Sequence, residues 1–329
     1  MPPTPASHAA SPPLPELAGG RPRRLLIALA TLEATDAAYR AVDVAVHLKA
    51  SQRWAVRLVV HAEGPLLSAC HAAGLEVQRV DARPVLAATT PEMGAAARLG
   101  LQREVWWGHL DAVAVFDPEC FWVLDAANRR KIPTVVDCSR PLDPAPRPGV
   151  VAAQMRAVPE IAARACFSSP VIAAAWSGNA SAVILPTWPA AVDPGPSPLS
   201  VPDAELLHRA LEQLARYPSG HAVSVPPFGL NLSAERPAVR PLLDAALAGR
   251  PIVTVASPVV AAYFRAHEVA HVAVAEPLVL AHVLLDLANN PGATARRVEA
   301  ARRRGLALPP RESLLHRWQA LLEDAVRTN

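Results

Sequence analysis

The stretch from Pro226 to Ser257 gathers residues whose types and spacing could do chemistry: Phe228, Gly229, Glu235, Arg236, Arg240, Asp244 and Arg250. Carboxylates at Glu235 or Asp244 could accept hydrogen bonds from ligand hydroxyls. Guanidiniums at Arg236, Arg240 and Arg250 present planar forks that suit phosphate oxygens. Gly229 would let backbone approach such a group closely. The alternative for each side chain is a solvated loop or helix face.

The elements that must hold these residues are legible around them. Pro237 and Pro241 sit where only the first turn of a helix tolerates proline. Leu242, Leu243, Ala246 and Leu247 then repeat at the helical period, and Gly249 follows as a left-handed C-terminal cap would. Pro251-Ile-Val-Thr-Val is a β-branched run of the kind buried in a parallel sheet.

A second set of polar residues follows apolar runs upstream: Glu33, Thr35, His61, Asp117, Glu119, Asp137 and Ser139. In open α/β sheets the loops at the carboxyl ends of strands face the ligand crevice. Asp117 and Asp137 each follow a strand directly, and either could bind hydroxyls or cap a helix. His267 and His271 are four apart, but 269–274 reads as a strand, so the two would not share a helical face. Trp106-Trp107 could stack on a ring or fill core. No Gly-x-Gly-x-x-Gly, Gly-x-Ser-x-Gly or Walker loop is present, which removes support for dehydrogenase, hydrolase and NTPase chemistry.

Strands are predicted at 25–30, 56–60, 75–80, 112–116, 132–136, 166–168 and 182–185, with helices between them at 35–50, 65–73, 92–107, 119–130, 154–164 and 170–177. This alternation implies an α/β fold with a doubly wound parallel sheet. A helix at 204–217, a strand at 221–225, the central stretch, a helix at 258–267, a strand at 269–274 and helices at 277–289, 291–305 and 311–327 complete the chain. Four segments result: a Pro/Ala-rich tail over 1–22 expected to be disordered, a first domain over 23–186, a proline-rich extended linker over 187–202, and a second domain over 203–329.

Composition narrows the class. At 329 residues, 51% hydrophobic and 19% charged, the chain can bury two cores. A net charge of only +3 implies no nucleic-acid partner. The four cysteines form no Cys-x-x-Cys pair and fit buried free thiols in a reducing compartment. No apolar run has the length of a membrane span, and Arg21-Pro-Arg-Arg-Leu-Leu-Ile reads as a first buried strand rather than a secretory signal, because Glu33 and Asp36 follow at once.

Asp244-Ala-Ala-Leu-Ala-Gly-Arg-Pro-Ile-Val, preceded by Phe228-Gly229, resembles the C-terminal signature of family-4-type (group 1) glycosyltransferases of the GT-B fold. Their motif reads Glu-Ala-Met-Ala-Ala-Gly-x-Pro-Val-Val. Upstream, His61-Ala-Glu-Gly-Pro-Leu, Ala73-Gly-Leu-Glu-Val and Lys131-Ile-Pro-Thr-Val-Val resemble words of the same family's first domain. The family pairs two glutamates at a fixed separation; here the second has become Asp244, the first position falls on Arg236, and Glu235 is one residue off register. The block that supplies the first strands of the family's second domain is missing, and Thr31-Leu-Glu-Ala-Thr-Asp replaces its glycine-rich loop.

The resemblance implies two Rossmann-like domains, the second truncated to a small parallel sheet, with a final helix packing back on the first. It implies a nucleotide sugar as substrate, a glycan or lipid-linked acceptor, retention of configuration, and neither cofactor nor metal. Asp117 and Glu235 would be catalytic; Phe228, Gly229, Arg236, Arg240 and Asp244 would bind the donor. Glu33, Thr35, Asp137 and Ser139 would lie on the acceptor side. The alternative is a non-catalytic relative that binds a glycan or a partner glycosyltransferase. The implied place is the cytoplasm, with peripheral contact at the inner face of the membrane left open.

Overall fold

A computed structural model of the chain describes residues 21–33, 35–105, 107–138, 148–176, 183–189, 201–216, 227–232 and 238–328. The expected strand at 221–225, and Trp106, Ser139, Glu235 and Arg236, lie outside the described residues.

The first half alternates as the apolar runs require. β1 (Arg23–Thr31), α1 (Asp36–Ala50), β2 (Trp54–Ala62), α2 (Leu67–Ala72) and β3 (Glu76–Arg79) are followed by α3 (Arg83–Leu86) and α4 (Pro91–Glu104). Then come β4 (Ala112–Val115), α5 (Phe121–Arg129), β5 (Thr134–Cys138), α6 (Gly149–Arg156), α7 (Val158–Ile161), β6 (Arg164–Phe167), α8 (Pro170–Trp176) and β7 (Val183–Ile184). The seven strands form one parallel sheet in the order β3-β2-β1-β4-β5-β6-β7. β1 pairs with both β2 and β4, so the order reverses there, and the crevice above β1 and β4 is the topological switch point. That central position explains why Leu25–Leu29 is apolar without alternation: both faces are covered.

The second half holds α9 (Val201–Ala215), β8 (Gly229–Asn231), α10 (Val239–Leu247), β9 (Ile252–Val255), α11 (Pro258–Ala261), β10 (Ala270–Val272), α12 (Pro277–Asn289), α13 (Pro291–Leu306) and α14 (Arg311–Thr328). Its three described strands run parallel in the order β10-β9-β8. Leu230, Val253, Val255 and Val272 pack on one face against Ala210 and Leu214 of α9 and Leu280, Leu284 and Leu287 of α12. α10 ends as its sequence demands. Gly249 has φ +67°, its N–H donates to Ala246, and the Arg250 N–H donates to Ala245.

The single helix expected over 258–267 is broken. α11 stops after four residues, and Tyr263 and Phe264 turn inward to full burial. A 3₁₀ turn at Ala266–Glu268 follows, where the Glu268 carboxylate accepts from the Arg265 N–H and pairs with Arg304 of α13. Burying two aromatic rings outweighs continuing an exposed helix.

The two halves share one apolar cluster. Val239, Leu242 and Leu243 of α10 and Val259, Val260 and Phe264 are continuous with Ile172, Ala173 and Trp176 of α8 and with the first sheet. α14 returns to the opposite face of that sheet, where Leu314, Leu315, Trp318 and Leu322 are buried with α1 and β1.

Candidate functional site

The carboxyl ends of the two sheets meet at the switch point. After β1 the chain turns through Glu33 to Thr35, whose hydroxyl accepts from the Ala38 N–H and caps α1. The next residue, Asp36, points across the junction. Its carboxylate accepts the Arg240 N–H at 2.9 Å and the Val239 N–H, so it caps α10 in the other half. Helix N-termini leave such amides free and favour negative charge.

Further along α1, two ion pairs take the residues that sequence alone assigned to ligands. Arg240 bonds Asp43 at 2.5 Å and lies over the Tyr39 ring, while Asp43 also accepts from Arg311 and from the Trp188 indole. Arg240 is therefore not a free diphosphate clamp; its charge is spent on Asp43. Arg40 bonds Asp137 at 2.6 Å with both side chains essentially sealed from water. It also donates to the Leu185 and Pro186 carbonyls and lies over Trp188. Asp137 thus holds Arg40 and the Trp318 indole, its carboxylate sealed from water. Asp137 is a paired residue within β5, opposite Cys166 of β6, so its side chain lies on the sheet face that α14 covers.

Asp117, at the end of β4, is buried and caps the following turn through the Glu119 N–H at 3.1 Å. Glu33 is half-buried in the loop after β1, its N–H bonded to the Thr31 hydroxyl. His61, at the end of β2, stacks on Trp122 and accepts from the Trp122 indole at 3.1 Å, with the Cys120 sulfur at 3.5 Å. Accepting at Nε2 puts the proton of the neutral ring on Nδ1. Burial pushes the His61 pKa down to about 4 against the pull of Asp117 and Asp81.

A histidine held below its unfolded value stabilises the fold while neutral, and that contribution is lost as pH falls from the ordinary histidine range through about 4. His61→Gln keeps an acceptor for Trp122 without the titration. The drop in melting temperature on acidification should be smaller in that variant than in the wild type, as read by calorimetry across pH 7 to 4.

In the second half, Gly229 is buried in β8 against α10. A Cβ there would stand 2.5 Å from the Ala245 Cβ and 3.3 Å from the Pro241 carbonyl. Its glycine serves strand–helix packing, not an approach to phosphate. Gly229→Ala should cost about 1–3 kcal/mol in chemical denaturation, as overpacking does. Phe228 is half-buried against the small sheet's core. Asp244, in mid-α10, is buried at 7% exposure and already engaged in a polar interaction, so it is not a free acid facing solvent. A cavity of about 310 Å³ opens beside α11 at the carboxyl end of β9, lined by Ser257, Phe264 and His271 among mostly apolar groups. Among the described residues no cluster of three or more metal-ligating side chains occurs, and no helix is long and apolar enough to cross a membrane.

Sequence reasoning missed Asp36, Arg40 and Asp43, which bind the halves together. Their signal was present. The three lie at i, i+4 and i+7, a polar stripe down one face of a helix otherwise rich in Ala and Val.

No protein-family model matches the chain, and no curated protein sequence matches it. Solved structures do. Anabaena Alr3699/HepE in complex with UDP and glucose is 12% identical with a TM-score of 0.64, covering 91% of this chain and 99% of that one. Sucrose-phosphate synthase (tll1590) from Thermosynechococcus elongatus is 12% identical with a TM-score of 0.58, covering 93% and 100%. Acinetobacter baumannii MurG is 17% identical with a TM-score of 0.55, covering 92% and 100%. Likeness at these identities establishes architecture: two Rossmann-like parallel sheets in the GT-B arrangement, the second a small one.

Proposed function

We propose that this chain is a glycosyltransferase-like protein that takes a nucleotide sugar between its two halves and passes the sugar to a glycan or lipid-linked acceptor. The observation that carries the reading is the convergence of both sheets' carboxyl ends at the switch point, where Asp36 of one half meets α10 of the other. Ligands of open α/β sheets bind in that position. Two of the solved structures it resembles hold UDP with glucose, or UDP-glucose. In this reading residues 23–186 form the acceptor-type domain, 187–202 the linker and 203–329 the donor-type domain. Asp117 and Glu235 carry the chemistry, Phe228 and Arg236 contact the donor, and Glu33, Thr35 and Ser139 face the acceptor. Retention without a required metal is what the family resemblance implies.

A second reading has its own support. Arg240, Asp137 and Asp244 are engaged within the protein, and Asp36 occupies the helix end that would meet a phosphate. These favour a non-catalytic relative that binds a glycan or a partner glycosyltransferase. Calorimetric titration of the full chain with UDP-, GDP- and ADP-sugars separates the two. Saturable binding of one donor, followed by release of its nucleotide over time, supports the transferase; no binding across the panel leaves the second reading.

A further inference from the structure

Two helix N-termini converge on one carboxylate. Asp36 opens α1, yet its side chain accepts the Val239 and Arg240 amides that open α10, a nine-residue helix of the other half. It is 4% exposed. The titratable groups facing it are Arg40 one turn along α1 and the Arg240 guanidinium from α10, both charged, and the neutral Tyr263 hydroxyl beyond α11. Asp43 lies further along α1, paired with Arg240 of α10 and with Arg311 of α14; the edge-to-face rings of His47 and His316 lie beyond them. Tyr263 is itself fixed, donating to the Ser168 carbonyl and accepting the Thr187 N–H.

We propose that Asp36 is a proton-tuned latch: its side chain fastens the start of α10 to α1, and fastens it more tightly when neutral than when ionised. Amides and guanidiniums favour the ionised form, but burial outweighs them and lifts the Asp36 pKa to about 6. When the halves part, the carboxylate returns to water and to the ordinary aspartate range. The fastened form therefore takes up a proton as pH falls through about 6, and parting is easier above that pH than below it. Sugar binding plays no part in this inference.

Asparagine at this position keeps an oxygen for the two amides and cannot ionise, so it imitates the neutral acid at every pH. Hydrogen exchange of the Val239 and Arg240 amides, measured in the full chain without ligand, reads the latch directly. The ratio of Asp36→Asn to wild type at each pH cancels intrinsic exchange and the titration of His61. The expected ratio of protection is on the order of 100-fold at pH 7.5 and a few-fold at pH 4. Asp36→Ala, which has no acceptor, should lose protection at both. Protection in Asp36→Asn equal to or below wild type at pH 7.5 would overturn the latch, and so would a ratio that does not move with pH. If the alanine variant fails to fold, the asparagine series decides alone.

Discussion

Asp137→Ala is expected to lower stability by about 3–5 kcal/mol, with a fall in melting temperature on the order of 10 °C. The variant leaves Arg40 inside the protein without its hydrogen-bonded counter-ion, against two carbonyls and the face of Trp188. A buried charge stripped of its partner is among the few changes that produce losses of this size. The control is the double variant Arg40→Met with Asp137→Leu, which removes both charges and should recover most of the loss. Recovery stays incomplete because the Leu185 and Pro186 carbonyls and the Trp318 indole are left without partners. Urea denaturation of the three proteins decides it: a single variant within about 1 kcal/mol of wild type would show that Asp137 does not hold Arg40 in place.

Trp318→Ala should cost a comparable ~3–5 kcal/mol, by a different route. The indole is fully buried, stacks on Phe116 at 5.1 Å and donates to Asp137 at 3.2 Å. Its removal opens a cavity between α14 and the seven-stranded sheet, so exchange protection should fall first along α14. A uniform loss over the whole chain, with α14 no worse than β1, would contradict the anchoring role. Because Trp318 and Asp137 touch, their effects should fall short of adding, with a coupling of roughly 0.5–3 kcal/mol in a double-mutant cycle.

Much of the architecture is legible in the chain because it rests on local rules. The continuous apolar run of β1 marks a strand covered on both faces, the helix at 277–289 is bounded as its sequence suggests, and Gly249 ends α10 with a positive φ. The candidate site was less legible, because its residues are defined by what packs on them. Arg240 carries no local mark that separates an ion-paired arginine from a phosphate-binding one; only the position of Asp43 on another element decides. Asp137 follows an apolar strand as a ligand-facing acid would, yet β6 pairs beside it and α14 covers it. Gly229 invites a reading of backbone freedom, and the constraint is the Ala245 methyl group. The break after α11 depends on the burial of Tyr263 and Phe264 against the other half, which no window of sequence contains.

Asp43 has a mechanical consequence. Its carboxylate holds Trp188, where the chain leaves the larger sheet, and Arg311, where it comes back. Arg317 reaches the Ile184 carbonyl at 3.4 Å alongside them. The smaller half is thus an insertion whose entry and exit are clipped together by one carboxylate, so loss of charge at position 43 loosens both crossings of the chain at once.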